Sequence, residues 1–146
     1  IDAQGAEELV FQNAPKTLTS ATVIHTEVCF VELYKNQALF ADVDRVLRAS
    51  GYRFHTFVGF GGRTYAPVIV NNERFRQLRQ HLWADAVYVR DPLTIDDLET
   101  DRLRRMAQIL FHMYQSVDLV HLLVAAIDRR EGTNLAAVLR GERPAA

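Results

Sequence analysis

The chain has 146 residues, 49% of them apolar and 24% charged, which is enough for one domain with a hydrophobic core of its own. With 17 basic and 18 acidic side chains the formal net charge is -1, so no broad field draws the chain to nucleic acid or anionic lipid. A single cysteine, Cys29, excludes an intrachain disulfide and fits a reducing, cytoplasmic setting, and no apolar run reaches the roughly 18–20 residues of a membrane span.

The first two residues of IDAQGAEELV read as the end of a strand. Gln4-Gly5 follows as a turn, and residues 6–13 as a short helix with Leu9 and Val10 on its apolar side and Pro15 as its stop. TVIHTEVCF (22–30) is β-branched and almost continuously apolar, the pattern of a strand covered on both faces. Leu39, Phe40, Val43, Val46 and Leu47 recur at steps of three and four, which predicts a helix over 39–50 with Gly51 at its left-handed cap. YRFHTFVGF (52–60) reads as an alternating strand ended by Gly61-Gly62. Asn71 or Asn72 is placed to cap a helix using Phe75, Leu78 and Leu82. ADAVYVR (84–90) is another strand, closed by Asp91-Pro92. Thr94 is the expected N-cap of a long amphipathic helix, or of two helices broken near Ser116; Gly132 ends it, and 135–140 adds a turn or two. Strands alternating with helices in this way predict an α/β fold with a largely parallel sheet and helices on both faces.

In such a sheet, ligands bind outside the carboxyl ends of the strands. Asp2 lies at the end of the first strand and Glu27 toward the end of the second. His25, two residues before Glu27, points to the same side of its strand. Glu7, one helical turn on, is close enough in sequence to join them. Three acids and an imidazole near one rim supply a general base, a polar clamp or a metal site. Blander roles stay open: a carboxylate after a strand caps the next turn, Glu7 is an ordinary first-turn acid, and His25 a satisfied core histidine. GFGGRT (59–64) lacks the glycine spacing and the Lys-Ser/Thr of a phosphate loop and reads as a tight turn. No G-x-S-x-G elbow is present, and no ligand set for a metal is recognised.

IDAQGAEELVFQNA resembles the segment K-I-D-V-E/Q-G-A-E-x-x-V-L-x-G-A of FkbM-type methyltransferases. IHTEVCFVELYKNQALFADVDRVLRASGYRFH is similar to that family's next strand, its acidic end and the helix after it. LWADAVYVRD is similar to a late strand of many bacterial members, so the resemblance covers residues 1–91 and leaves 92–146 as a helical extension. It implies a class I (Rossmann-like) methyltransferase sheet, mostly parallel with an antiparallel late strand. It implies S-adenosylmethionine as cofactor and O-methylation of a sugar or natural-product hydroxyl, with a small-molecule or glycan acceptor. It further implies that 1–91 is the C-terminal half of the methyltransferase domain, the glycine-rich cofactor loop preceding Ile1, and that the isolated chain is inactive. Under this reading Asp2 and Glu27 are catalytic, His25 is a second-choice base, and Gln4 and Glu7 shape the substrate or cofactor pocket. Arg63, Tyr65 and Trp83 are candidates for a lid or acceptor wall, or equally for a plain connection, with Trp83 also read as a core residue. The competing expectation is a non-catalytic α/β interaction module, whose C-terminal amphipathic helix covers its apolar stripe with a second copy in a homo-oligomer. Neither nucleic acid nor a membrane is an expected partner.

Overall fold

A computed structural model describes residues 1–73 and 76–141. The chain divides into two compact units, Ile1–Val89 and Arg90–Ala146.

The first unit begins with two short helices, α1 (Glu7–Gln12) and α2 (Pro15–Ser20), followed by β1 (Val23–Cys29), α3 (Phe40–Ala49), β2 (Tyr52–Gly61) and β3 (Trp83–Arg90). The strands form one sheet in the order β1-β3-β2. β3 runs antiparallel to β1, in register from Val23 opposite Val89 to Cys29 opposite Trp83. The fold is therefore mixed α/β with the late strand antiparallel, and the largely parallel sheet expected from strand–helix alternation is not what the named strands form. The physical reason lies between β2 and β3. A parallel neighbour needs a long crossover, commonly a helix. No helix occurs there among the described residues. Asn71 and Asn72 take left-handed φ values of 51° and 62° and turn the chain between Val70 and Glu73 instead of capping a helix; Phe75 lies outside the described residues. One parallel rung does exist. The amino group of Ile1 donates to His25 O and Glu27 N donates to Ile1 O at 2.9 Å, the alternating pattern of parallel pairing, so Ile1 runs beside β1 in the same direction.

The core of this unit sits under one face of the sheet. Ile24 and Val28 of β1, Val43 and Leu47 of α3, and Tyr88 of β3 are buried together with Phe11 and Leu18. Tyr52 is buried among them, and its hydroxyl donates to Leu18 O at 2.8 Å and Ala21 O at 2.9 Å, tying α2 to the start of β2. Phe54 and Phe57 meet at 4.5 Å and both pack on the core, so β2 departs from strict alternation. α1 buries Glu7 and Phe11, while Leu9 and Val10 face outward, contrary to the predicted apolar side. A six-residue helix is too short to present a stripe. Pro15 does not merely stop it but opens α2, where its missing N–H has no partner to lose.

The second unit opens with a 3-10 turn over Pro92–Asp97, capped by the Asp91 carboxylate on Leu93 N and not by Thr94, whose backbone is non-helical. α4 (Thr100–Ile109) runs into a π-type turn over Leu110–Tyr114. Gln115, at φ 53°, breaks the helix one residue before the expected Ser116, and α5 (Val117–Glu131) follows. α4 buries Leu103 and Met106, α5 buries Val120 and Leu123, and the two helices pack on each other. Gly132 ends α5 at φ 69°. Asp128 accepts from Leu135 N and Ala136 N and thereby caps α6 (Leu135–Leu139). Among the described residues no helix is long and apolar enough to cross a membrane.

Candidate active site

The rung between Ile1 and β1 decides what stands at the strand ends. It sets Asp2 just past a segment parallel to β1, at the level where β1 carries Glu27. After Asp2 the chain reverses through Gln4 and Gly5, both left-handed at φ 52° and 98°. The φ of Gly5 favours glycine, and a side chain there would also crowd Tyr34 and Gln37 at 3.1–3.2 Å. Glu7 holds this turn from inside. Its carboxylate is buried and accepts Ala3 N at 2.7 Å and Gly5 N at 3.1 Å. Gln4 donates to the Asp2 carboxylate at 2.7 Å and accepts from the Tyr34 hydroxyl at 2.8 Å. Gln37, buried, accepts from Leu33 N and Tyr34 N and donates to the Cys29 sulfur at 3.0 Å, which fixes the loop bearing Tyr34. Burial pushes the Cys29 thiol above its ordinary value, with Gln37 opposing, so this cysteine is a packing group rather than a nucleophile.

His25, Glu27 and Asp85 share the sheet face opposite the core. Glu27 stands directly across from Asp85, and His25 reaches diagonally to Asp85 with Nε2 to Oδ1 at 3.7 Å. Like charges opposite each other destabilise a strand pair. Glu27 carries the consequence: burial first, then Asp2, Glu7 and Asp85, raise its carboxyl above the ordinary glutamate value. A half-buried acid ringed by three others, at the end of a strand, is costly for stability and useful for proton transfer. Among the described residues no group of three or more His, Cys, Asp or Glu is arranged to hold a metal ion.

Residues 1–54 match the methyltransferase FkbM domain. The match bears out the resemblance read from IDAQGAE over those residues; residues 55–91 lie outside it. Asp2, Gln4, Glu7, His25 and Glu27 all fall inside the matched segment. β3, the loop before it and the second unit lie outside. No curated protein and no solved structure matches the chain.

The structure therefore brings Asp2, Glu7 and Glu27 into one electrostatic cluster and sets His25 at its edge, tethered to Asp85. Gln4 is joined to Asp2, and Glu7 has its oxygens turned to the backbone of the turn. Sequence reading passed over Asp85, Tyr34 and Gln37. Asp85 was recoverable, because an acid inside the apolar run ADAVYVR is the same signal that singled out Glu27. Tyr34 and Gln37 carry no such signal; only the path of the loop brings them to Gly5.

Proposed function

We propose that this chain carries the acceptor-side rim of an S-adenosylmethionine-dependent O-methyltransferase acting on a hydroxyl of a sugar or natural product. The observation that carries it is the place of Glu27, directly opposite Asp85 near the end of β1 and beside the turn that bears Asp2, within the segment that matches the FkbM methyltransferase domain. The residues suit the cofactor: carboxylates that repel one another are relieved by a cation set among them. When bound, S-adenosylmethionine supplies an electrophilic methyl group on a sulfonium cation.

The chain's own residues have distinct tasks. Glu27 accepts the proton of the acceptor hydroxyl as the oxygen attacks, a role that the upward shift of its carboxyl by burial and by neighbouring acids suits. Asp2, held by Gln4 and through it by Tyr34, orients the acceptor so that oxygen and methyl carbon lie about 3–3.5 Å apart and in line. His25, steadied by Asp85, stands as the alternative base. Glu7 keeps the turn that carries Asp2 in place. The lone, buried Cys29 fits a cytoplasmic setting.

The test is transfer of a labelled methyl group by the complete enzyme that contains this chain. Glu27→Gln is expected to lower kcat about 100-fold or more with KM little changed. Parental turnover by the Asp2→Asn, Glu27→Gln double variant removes the assignment. One further observation favours a second role alongside this one. Phe111, Met113 and Val117 stand exposed around the break between α4 and α5, an apolar surface for a second copy of the chain; sedimentation of the chain with Met113→Glu against the parent tests it.

A further inference from the structure

Opposite β3, strand β2 ends in GFGG, and its glycines leave space where neighbouring side chains lie. A Cβ on Gly59 would sit 3.5 Å from Asp85 Oδ2, and one on Gly61 would fall inside the Trp83 indole. Trp83 and Asp85 are two residues apart on β3, hence on one face, and their partners on β1 are Cys29 and Glu27. Trp83 is thus one strand across and two residues along from Glu27, a Cα separation of roughly 8 Å at ordinary strand spacing and rise. Backbone links close this end of the sheet: Phe30 N donates to Leu82 O and Leu82 N to Gly61 O, each at 2.8 Å.

At that end lies a cavity of about 620 Å³, the size of a small-molecule site. Phe60, Gly61 and Trp83 form its aromatic floor, Arg63 and Arg76 its cationic side, and Gln77 part of its wall. Gln77 lies 3.5 Å from the Phe60 carbonyl and 3.2 Å from His81 Nδ1, and the His81 ring packs on Phe60 at 4.3 Å between centroids. The cations therefore line the cavity itself, while the carboxylates of Glu27 and Asp85 lie beyond the Trp83 indole, which covers Gly61.

We propose that this pocket binds an anionic sugar, a saccharide bearing phosphate or carboxylate, and that such a sugar is the acceptor class. The sugar's apolar ring face rests on the Trp83 indole. Its anionic group takes charge-assisted hydrogen bonds from Arg63 and Arg76, and the charge polarity of the rim then directs its hydroxyls toward Glu27. A neutral sugar lacks the ionic anchor. An anion alone lacks the stacking anchor. The assignment rests on the reading of the rim as an acceptor site, yet it is tested without methyl transfer.

Trp83 is the chain's single tryptophan, so its fluorescence reports this pocket directly. The full chain is titrated with glucose 6-phosphate, glucuronate, glucose and inorganic phosphate. Saturable quenching by glucose 6-phosphate or glucuronate is expected, at least about tenfold tighter than by glucose or phosphate. Loss of one charge-assisted contact corresponds to about tenfold or more in affinity, so Arg63→Gln and Arg76→Gln each weaken it by that factor. Far-ultraviolet circular dichroism confirms that the variants fold. Equal response to glucose or to phosphate, no response to any of the four, or parental affinity in the Arg63→Gln, Arg76→Gln double variant overturns the proposal. If the complete enzyme transfers no methyl group while anionic-sugar binding persists, the methyltransferase reading fails and the pocket stands. Methylation of a neutral acceptor with no such binding gives the reverse.

Discussion

Replacing Glu7 by alanine isolates the group that shapes the start of the rim. Its buried carboxylate accepts two backbone N–H groups, from Ala3 at 2.7 Å and from Gly5 at 3.1 Å. Hydrogen bonds to a charged acceptor contribute about 1.5–3 kcal/mol each, which sets an upper bound near 6 kcal/mol for the pair. Both amides are only partly buried, so water recovers part of the loss, and the expected destabilisation is about 2–3 kcal/mol. For a chain of this size that lowers Tm by roughly 5–10 °C. Glu7→Gln preserves the shape and one acceptor but turns an amide donor toward the other N–H, and is expected to lose about half as much. Urea unfolding followed by circular dichroism measures the stability, and amide hydrogen exchange at Ala3 and Gly5 locates the effect. A Glu7→Ala variant within about 0.5 kcal/mol of the parent, or unchanged protection of those two amides, refutes the claim that Glu7 organises the turn bearing Asp2.

Glu27→Gln carries a pH signature. The folded carboxyl lies above its ordinary value of 4.5, so its contribution to stability is complete below that value and is lost as pH rises through the raised one. Parent and variant are then alike in acid, and the variant becomes the more stable as pH approaches neutrality; a difference in Tm that is constant from acid to neutral contradicts the like-charge cluster. Tyr52→Phe removes the donor to Leu18 O and Ala21 O inside the core. It is expected to cost about 1–2 kcal/mol in urea unfolding, and no measurable loss means the hydroxyl does not tie α2 to β2. Gly61→Ala drives a methyl into the Trp83 indole. A loss of about 1–3 kcal/mol together with a shifted Trp83 emission maximum is expected, and an unchanged emission spectrum contradicts the packing.

The pattern of residues alone located nearly every strand and long helix. TVIHTEVCF, YRFHTFVGF and ADAVYVR became β1, β2 and β3 because β-branched and aromatic runs bounded by turn residues have few other ways to bury themselves. The α3 periodicity and its Gly51 cap, the break near Ser116 and the stop at Gly132 were equally legible, since each depends on residues close in sequence. IDAQGAE, as a motif, carried the family match over residues 1–54.

What lay beyond local pattern was pairing. That β3 enters antiparallel between β1 and β2, that Ile1 lies parallel to β1, and that Glu27 faces Asp85 depend on contacts between residues far apart in the chain. Glu7 shows the same division: its place in a helical first turn could be read from sequence, but not that its oxygens turn inward to Ala3 and Gly5. Periodicity determines which side of a strand or helix is apolar; only tertiary packing decides which charged groups are forced to share a face, because that repulsion exists only once separate segments meet.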